Sequence, residues 1–302
     1  MKVGLFFSGE ESEDVTRILR EIGALNVHAS AYRMSDSWET LSGTEIEYNF
    51  ASITHCTVYV TSDCIDRTWL RFVSGYCMGR AVPTVLYLGA ALDEIIPPFL
   101  DSFPRLDTSQ ALQRHLKREK HVHDATVRIE NARGELSAAG IAVTEEEFGR
   151  TVAEGNSTAV EHFLHTGLSP NSTDARGVPL LTLAIRNRQY QLILRLLEAG
   201  ASPNAVSADR GNSALSEAAV IGDQEMVETL IKAGADLNVQ SKNGQTALMM
   251  AIGEGYTEIA RFLLDNGAKT DAVDQLGMTA YKYAKLFKHH EIAELMFQGE
   301  DS

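Results

Sequence analysis

The chain has 302 residues, of which 44% are hydrophobic and 23% charged, with a formal net charge of −14. That is room for about two domains and the composition of an ordinary globular protein. So acidic a chain, with no basic stripe, suits a phosphate backbone poorly, which excludes nucleic acid as the expected partner.

Residues 1–106 are read as a small α/β domain. Val3–Phe7 is a short apolar run and Asn26–Met34 alternates, so both are expected as strands. Between them Val15, Ile18, Leu19 and Ile22 have helical spacing, from Ser12 or Glu13 to a stop at Gly23. Thr44-Glu-Ile-Glu47 has the capping-box pattern and opens an expected helix through Ile53. Cys56–Thr61 is rich in β-branched residues and is the clearest strand, followed by a helix over 67–80 and a strand over 83–88. Strands and helices that alternate with short connections predict a parallel sheet covered on both faces. Ligands of such sheets sit at the carboxyl ends of the strands. That rim holds Ser8, Gly9 and Glu10 after the first strand, and Ser62, Asp63 and Trp69 after the third. These six are the candidate ligand-binding residues. Cys56, Cys64 and Cys77 fit neither a disulfide framework nor a zinc site and are read as reduced thiols.

The stretch Ile53–Ser62, with Arg67-Thr-Trp69-Leu-Arg-Phe-Val73-Ser-Gly75-Tyr76 and Pro83, resembles the third-strand region of bacterial TIR-like (Toll/interleukin-1 receptor-like) domains. It is also similar to the nucleoside deoxyribosyltransferase-like fold. The resemblance implies a flavodoxin-like parallel sheet over about residues 2–106. It also implies, in catalytic members, a Glu four residues after the Trp that acts on the ribose of NAD or a nucleotide. Here that position is Val73, and no carboxylate occurs between Asp66 and Asp93. A valine can neither stabilise nor capture an oxocarbenium-like centre, so no catalytic residue is assigned. Glu10, Glu45 and Glu47 are the carboxylates that could stand in.

Residues 107–143 are read as a helical connector, capped by Asp107 or Ser109. Leu112, Leu116, Val122, Ala125, Ile129, Ala132, Leu136 and Ala139 form a short seam at three- and four-residue steps. That seam serves either self-association or packing along the chain's own domains. Arg114, Lys117, Arg118 and Lys120 read as a solvated face. His121 and His123, two apart, do not share a helix face, so no metal site is expected with His115.

From residue 144 to 298 the chain repeats itself. Gly177-Val-Pro-Leu-Leu-Thr-Leu-Ala184 recurs as Gly211–Ala218, Gly244–Ala251 and Gly277–Ala284, at spacings of 34, 33 and 33 residues. Gly167, Gly200, Gly234 and Gly267 recur with them, followed four residues on by Asn171, Asn204, Asn238 and Asp271. A fixed period of about 33 residues marks a repeat architecture. Thr144-Glu-Glu-Glu147 caps the first helix, with Phe148, Val152 and Ala153 expected inward. Phe163, Leu196, Leu230, Leu263 and Met296 form one apolar column, and Leu164, Leu197, Ile231, Leu264 and Phe297 a second. Such columns bury a core that no single repeat could bury.

These blocks resemble ankyrin repeats, five units with their caps. The family pattern Gly-x-Thr-Pro-Leu-His-x-Ala is met most fully by Gly244-Gln-Thr-Ala-Leu-Met-Met-Ala251, its Thr kept as Ser213, Thr246 and Thr279. Its Pro gives way to Leu180, Ala214, Ala247 and Ala280, and its His to Thr182, Ser216, Met249 and Lys282. The resemblance implies an all-α solenoid that binds a protein partner through hairpin tips and the concave helix face. The tip residues are Asp209, Arg210, Asn212, Lys242, Asn243, Gln245, Asp274, Gln275 and Met278. The net −9 of residues 144–302 favours a partner with a basic patch.

The whole chain therefore reads as a cytoplasmic signalling adaptor without cofactor or metal, in which the TIR-like domain assembles or senses a signal nucleotide. Homo-oligomers would form through that domain or through the helix of 107–143. The alternative is an enzyme that cleaves NAD or a nucleotide under control of the repeats. Met1–Phe7 is too short for a signal-peptide core. No apolar run reaches the roughly 18 residues that span a bilayer, so no membrane association is expected.

Overall fold

A computed structural model describes residues 1–8, 13–34, 50–61, 64, 67–89 and 97–298. The chain divides into two compact units, Met1–Val127 and Arg128–Ser302.

In the first unit β1 (Lys2–Ser8), α1 (Glu13–Ala24), β2 (His28–Met34), β3 (His55–Val60), α2 (Thr68–Gly79), β4 (Thr84–Leu88) and β5 (Arg105–Leu106) follow one another. Among the described residues all pairings of these strands are parallel and the order is β2-β1-β3-β4-β5. Side chains alternate between the two faces. Phe6, Cys56, Val58, Val60 and Leu86 meet Trp69, Leu70, Val73 and Cys77 of α2. Val3, Leu5, Phe7, Tyr59, Val85 and Tyr87 meet Val15, Ile18 and Ile22 of α1, with Leu112 and Leu116. Because β3 is central and covered on both sides, all six of its residues are buried, which is why it reads as a nearly continuous apolar run.

Two local features differ from the sequence reading, and a third lies outside the described residues. The helix α1 passes Gly23 to Ala24, and the left-handed residue is Asn26 (φ 55), a residue type that tolerates this region. The two-residue β5 was not foreseen, because so short a strand carries no period. The capping box Thr44–Glu47 lies outside the described residues, which resume at Phe50, whose carbonyl accepts from Ile53 N at 3.0 Å.

One long helix, α3 (Ser109–Ala138), follows. Neither Asp107 nor Ser109 caps it: the Ala111 N–H donates to Thr108 Oγ1 at 3.3 Å. The expected seam is broken. Leu112 and Leu116 belong to the sheet core, Ala132 and Leu136 are buried further on, and Val122 is 54% exposed. His115, Glu119 and His123, four apart, share a face. His55 Nε2 lies 3.7 Å from Glu119 Oε2, and the His55 and His123 rings meet edge-on at 5.6 Å. His123 is therefore no solvated residue, while His121 is exposed. Among the described residues no group of three is placed to hold a metal ion. All three cysteines are free and buried.

The second unit stacks five helix pairs: α4 (Glu145–Glu154) with α5 (Ser157–His165), α6 (Leu180–Arg186) with α7 (Tyr190–Glu198), α8 (Ala214–Ile221) with α9 (Gln224–Lys232), α10 (Ala247–Glu254) with α11 (Thr257–Asp265), and α12 (Ala280–Leu286) with α13 (His290–Gln298). Phe163, Leu196, Leu230, Leu263 and Met296 are buried in one continuous core, with Leu164, Leu197, Ile231 and Leu264 half-buried against it. Phe297 lies outside the described side chains. In α4, Ala153 turns out to be exposed. Thr151 is the buried residue, its hydroxyl donating to the Phe148 carbonyl at 2.8 Å.

Thr144, Ser213, Thr246 and Thr279 each accept from the N–H three residues on and so cap their helices. The recurring asparagines tie each repeat to the next. Asn171 Nδ2 donates to the Gly200 carbonyl while its Oδ1 accepts from Ser202 N, and Asn204 does the same with Gly234 and Asp236. Asn238 Oδ1 accepts from Lys269 N. Asp271 stands in this column on the last repeat, where no further repeat follows among the described residues.

Candidate functional site

Each of the last four repeats is entered through a hairpin tip closed by its own backbone. Asp174, Ser207, Ser241 and Asp274 donate their N–H to the carbonyls of Val178, Asn212, Gln245 and Met278 at 2.9–3.0 Å. The second tip holds one residue more than the others, which explains the single 34-residue spacing. Successive tips are laddered by Ala208 N to Gly177 O, Lys242 N to Arg210 O and Gln275 N to Asn243 O, at 2.9–3.0 Å.

Side chains then fix the tips to the helices. Arg186, at the end of α6, grips Asp209 through both terminal nitrogens, at 2.7 and 3.1 Å, and donates to Glu217 of α8 from Nε at 3.0 Å. Asn212 Nδ2 also donates to Glu217 Oε1, at 3.1 Å. Glu217 is only 2% exposed, so it depends on these partners. The guanidinium beside Asp209 holds that carboxyl well below the usual carboxylate range. One repeat further, Gln245 Nε2 donates to Tyr283 Oη at 2.9 Å, and Tyr283 donates to Asp274 Oδ2 at 2.7 Å.

Between tips and inner helices lies a groove of about 520 Å³. Asp209, Arg210, Asn212, Ser241, Lys242, Asn243 and Gln245 line it from the tips, and Val220, Met249, Met250, Gly253, Glu254, Tyr283 and Phe287 from the helices. Six of the nine expected tip residues therefore come together. Asp274, Gln275 and Met278 do not line it. Asp274 is buried, its Oδ1 accepting from the N–H groups of Leu276 and Met278. Gln275 spends its amide on the Lys242 carbonyl at 2.7 Å, and Met278 packs on the array core. Asn212 is also buried rather than exposed. The sequence reading included the concave helix face but named none of its residues. The signal was there in the aligned blocks, because residues 186, 220, 253 and 286 fall at one position of each inner helix.

The rim of the sheet is only partly described. Ser8 ends β1, half-buried, and Gly9, Glu10, Ser62 and Asp63 lie outside the described residues. Trp69 is in the first turn of α2, 4% exposed within the apolar core, and its Nε1 has no hydrogen-bond partner among the described residues. Val73 is 2% exposed and, with Phe6, Phe50, Tyr76 and Cys77, lines an apolar void of about 10 Å³. Among the described residues no helix is long and apolar enough to cross a membrane.

The model for ankyrin repeats (3 copies) matches residues 149–241 and 217–302. An ankyrin repeat-containing protein of Treponema pallidum (strain Nichols) is 32% identical over 299 residues, which cover 98% of this chain and 99% of that protein. An L-asparaginase of Dirofilaria immitis is 31% identical over 131 residues, 43% of this chain and 22% of that protein. Protein phosphatase 1 regulatory subunit 27 of Mus musculus is 42% identical over 67 residues, 22% of this chain and 44% of that protein.

Proposed function

This chain belongs to the ankyrin-repeat family, and from that premise we propose that it is a cytoplasmic adaptor that grips a partner protein in the groove of its array. The observation that carries this reading is the convergence of Asp209, Arg210, Asn212, Lys242, Asn243 and Gln245 on one groove, opposite Met250 and the half-exposed Phe287. Polar groups over an apolar floor are the usual makeup of a recognition surface.

In the same proposal the first unit is a TIR-like, flavodoxin-like module that serves assembly or senses a signal nucleotide without cleaving it. Its strand order 2-1-3-4-5 supports the flavodoxin-like part, since such sheets place ligands at the switch between the first and third strands, beside Ser8. The packing of Val73 supports the non-catalytic part: the position turns into the core, where a carboxylate would be desolvated.

Two experiments test the proposal. Crosslinking from lysate should capture a defined protein on the full chain and lose it on Arg210→Glu/Lys242→Glu. Capture unchanged by the reversal would move binding off the groove. Incubating the full chain with NAD and with nucleoside monophosphates, dilute and concentrated, should release no base. Release that is abolished by substituting Glu10, Glu45 or Glu47 would overturn the non-catalytic reading.

A further inference from the structure

The helix side of the groove is open at one residue. Residue 253 shares its inner-helix position with Arg186, Val220 and Leu286, and it is a glycine at which a Cβ would meet nothing within 4 Å. Its φ is not positive, so the backbone does not call for glycine, and glycine inside a helix costs about 1 kcal/mol relative to alanine. The result is a notch in a floor that Val220, Met250 and Phe287 also line.

The tip side is cationic where it is free. Asp209 is the one tip carboxylate lining the groove, and Arg186 already holds it. Arg210 shows no side-chain partner among the described residues, and the Lys242 ammonium donates only to the neutral Ala208 carbonyl. The acidic surplus of the array lies in part on the outer helices, at Glu161, Glu225, Glu228, Glu258, Asp265, Glu291 and Glu294. The array as a whole carries −9, yet the groove pairs free cations on its tip side, Arg210 and Lys242, with one carboxylate on its helix side, Glu254.

We infer that the groove takes an extended, acidic peptide segment of another protein, with one aliphatic or methionine side chain in the Gly253 notch and a carboxylate beside it on Arg210 and Lys242. This rests on the groove-binding reading above and adds the chemistry of the occupant. An apolar anchor in a pocket supplies most of the affinity of such contacts, and the complementary charge sets register and partner choice.

The test uses immobilised short synthetic peptides with a central Leu, flanked by Asp and Glu in one series, Lys and Arg in a second, and Ser and Gly in a third. The labelled full chain should be retained by the acidic series at least about tenfold more strongly than by the neutral one. Arg210→Glu/Lys242→Glu should reverse the ranking toward the basic series. Gly253→Trp fills open space, so it should abolish retention without lowering the melting temperature, whereas Gly253→Ala, which leaves most of the notch open, should weaken retention much less. Best retention by the basic series, or a ranking unmoved by the charge reversal, overturns the inference. Retention without charge preference but sensitive to Gly253→Trp overturns the acidic chemistry and leaves the groove reading standing. Retention indifferent to Gly253→Trp, or none by the unaltered chain, overturns the inference, while the groove reading stands or falls on the capture experiment above.

Discussion

Arg188 and Lys288 sit at φ 55 and 63, in a column whose other members are Gly155, Gly222 and Gly255 at φ 77–83. L-residues pay for this conformation with a Cβ clash that glycine lacks. Arg188→Gly and Lys288→Gly should each stabilise the array by about 0.5–1 kcal/mol, read as a higher urea midpoint at unchanged slope. The reverse change, Gly222→Ala, should cost more, since a Cβ there would come within 2.3 Å of the Tyr256 ring. His55 makes a second prediction at this scale. Burial holds its pKa at about 4, against the pull of Glu119 and with His123, His115 and the N-terminus also facing it. Unfolding restores an ordinary value near 6.5. Between those values the unfolded state binds more protons, so stability falls as pH drops from about 6.5 to about 4, by at most about 3 kcal/mol. His55→Gln should remove that part of the slope, measured as the difference in melting temperature against pH.

At the scale of elements, Arg186 joins α6, the second tip and α8. Arg186→Ala would leave the buried Glu217 with Asn212 as its remaining partner, a loss of about 3 kcal/mol. The other repeats carry Leu183, Met250 and Tyr283 at the position of Glu217. Glu217→Met in the Arg186→Ala background should therefore recover much of the loss, and urea unfolding of the two variants reads it directly. A double variant no more stable than Arg186→Ala alone would mean that Glu217 is not the group left stranded. The asparagine ties belong to this scale as well: the sequence displayed their period, but a column of asparagines could equally have been solvated turns. Only the stacked repeats reveal that each amide reaches the loop of the next unit.

For the whole molecule, α3 carries buried leucines near both ends and no buried residue from 117 to 131. Its two ends serve different cores, Leu112 and Leu116 in one and Leu136 in the other. Helix there is held by its own backbone, which is marginal without tertiary packing. Amides of residues 121–131 should exchange with solvent faster than those around Leu112 and Leu136, as mass spectrometry of exchanged fragments will show. Equal protection along the helix would require a covering that this stretch does not display. The unbroken seam expected from spacing alone failed here because period records which residues share a face, not what meets that face.

What the sequence determined by itself was whatever repeats or alternates. The 33-residue period fixed the repeats, the column Phe163–Met296 fixed their core, and the β-branched run after His55 located the central strand. Each follows from local chain geometry, in which a period maps onto one buried face. Tertiary structure decided which groups meet across distance. It took Asp209 for Arg186, turned Asp274 inward, buried Asn212, set His123 against His55 and gathered a groove from tips and helices some 40 residues apart in the chain. Those pairings depend on how repeats and layers stack, and their contacting residues are too far apart in sequence for any local pattern to mark them.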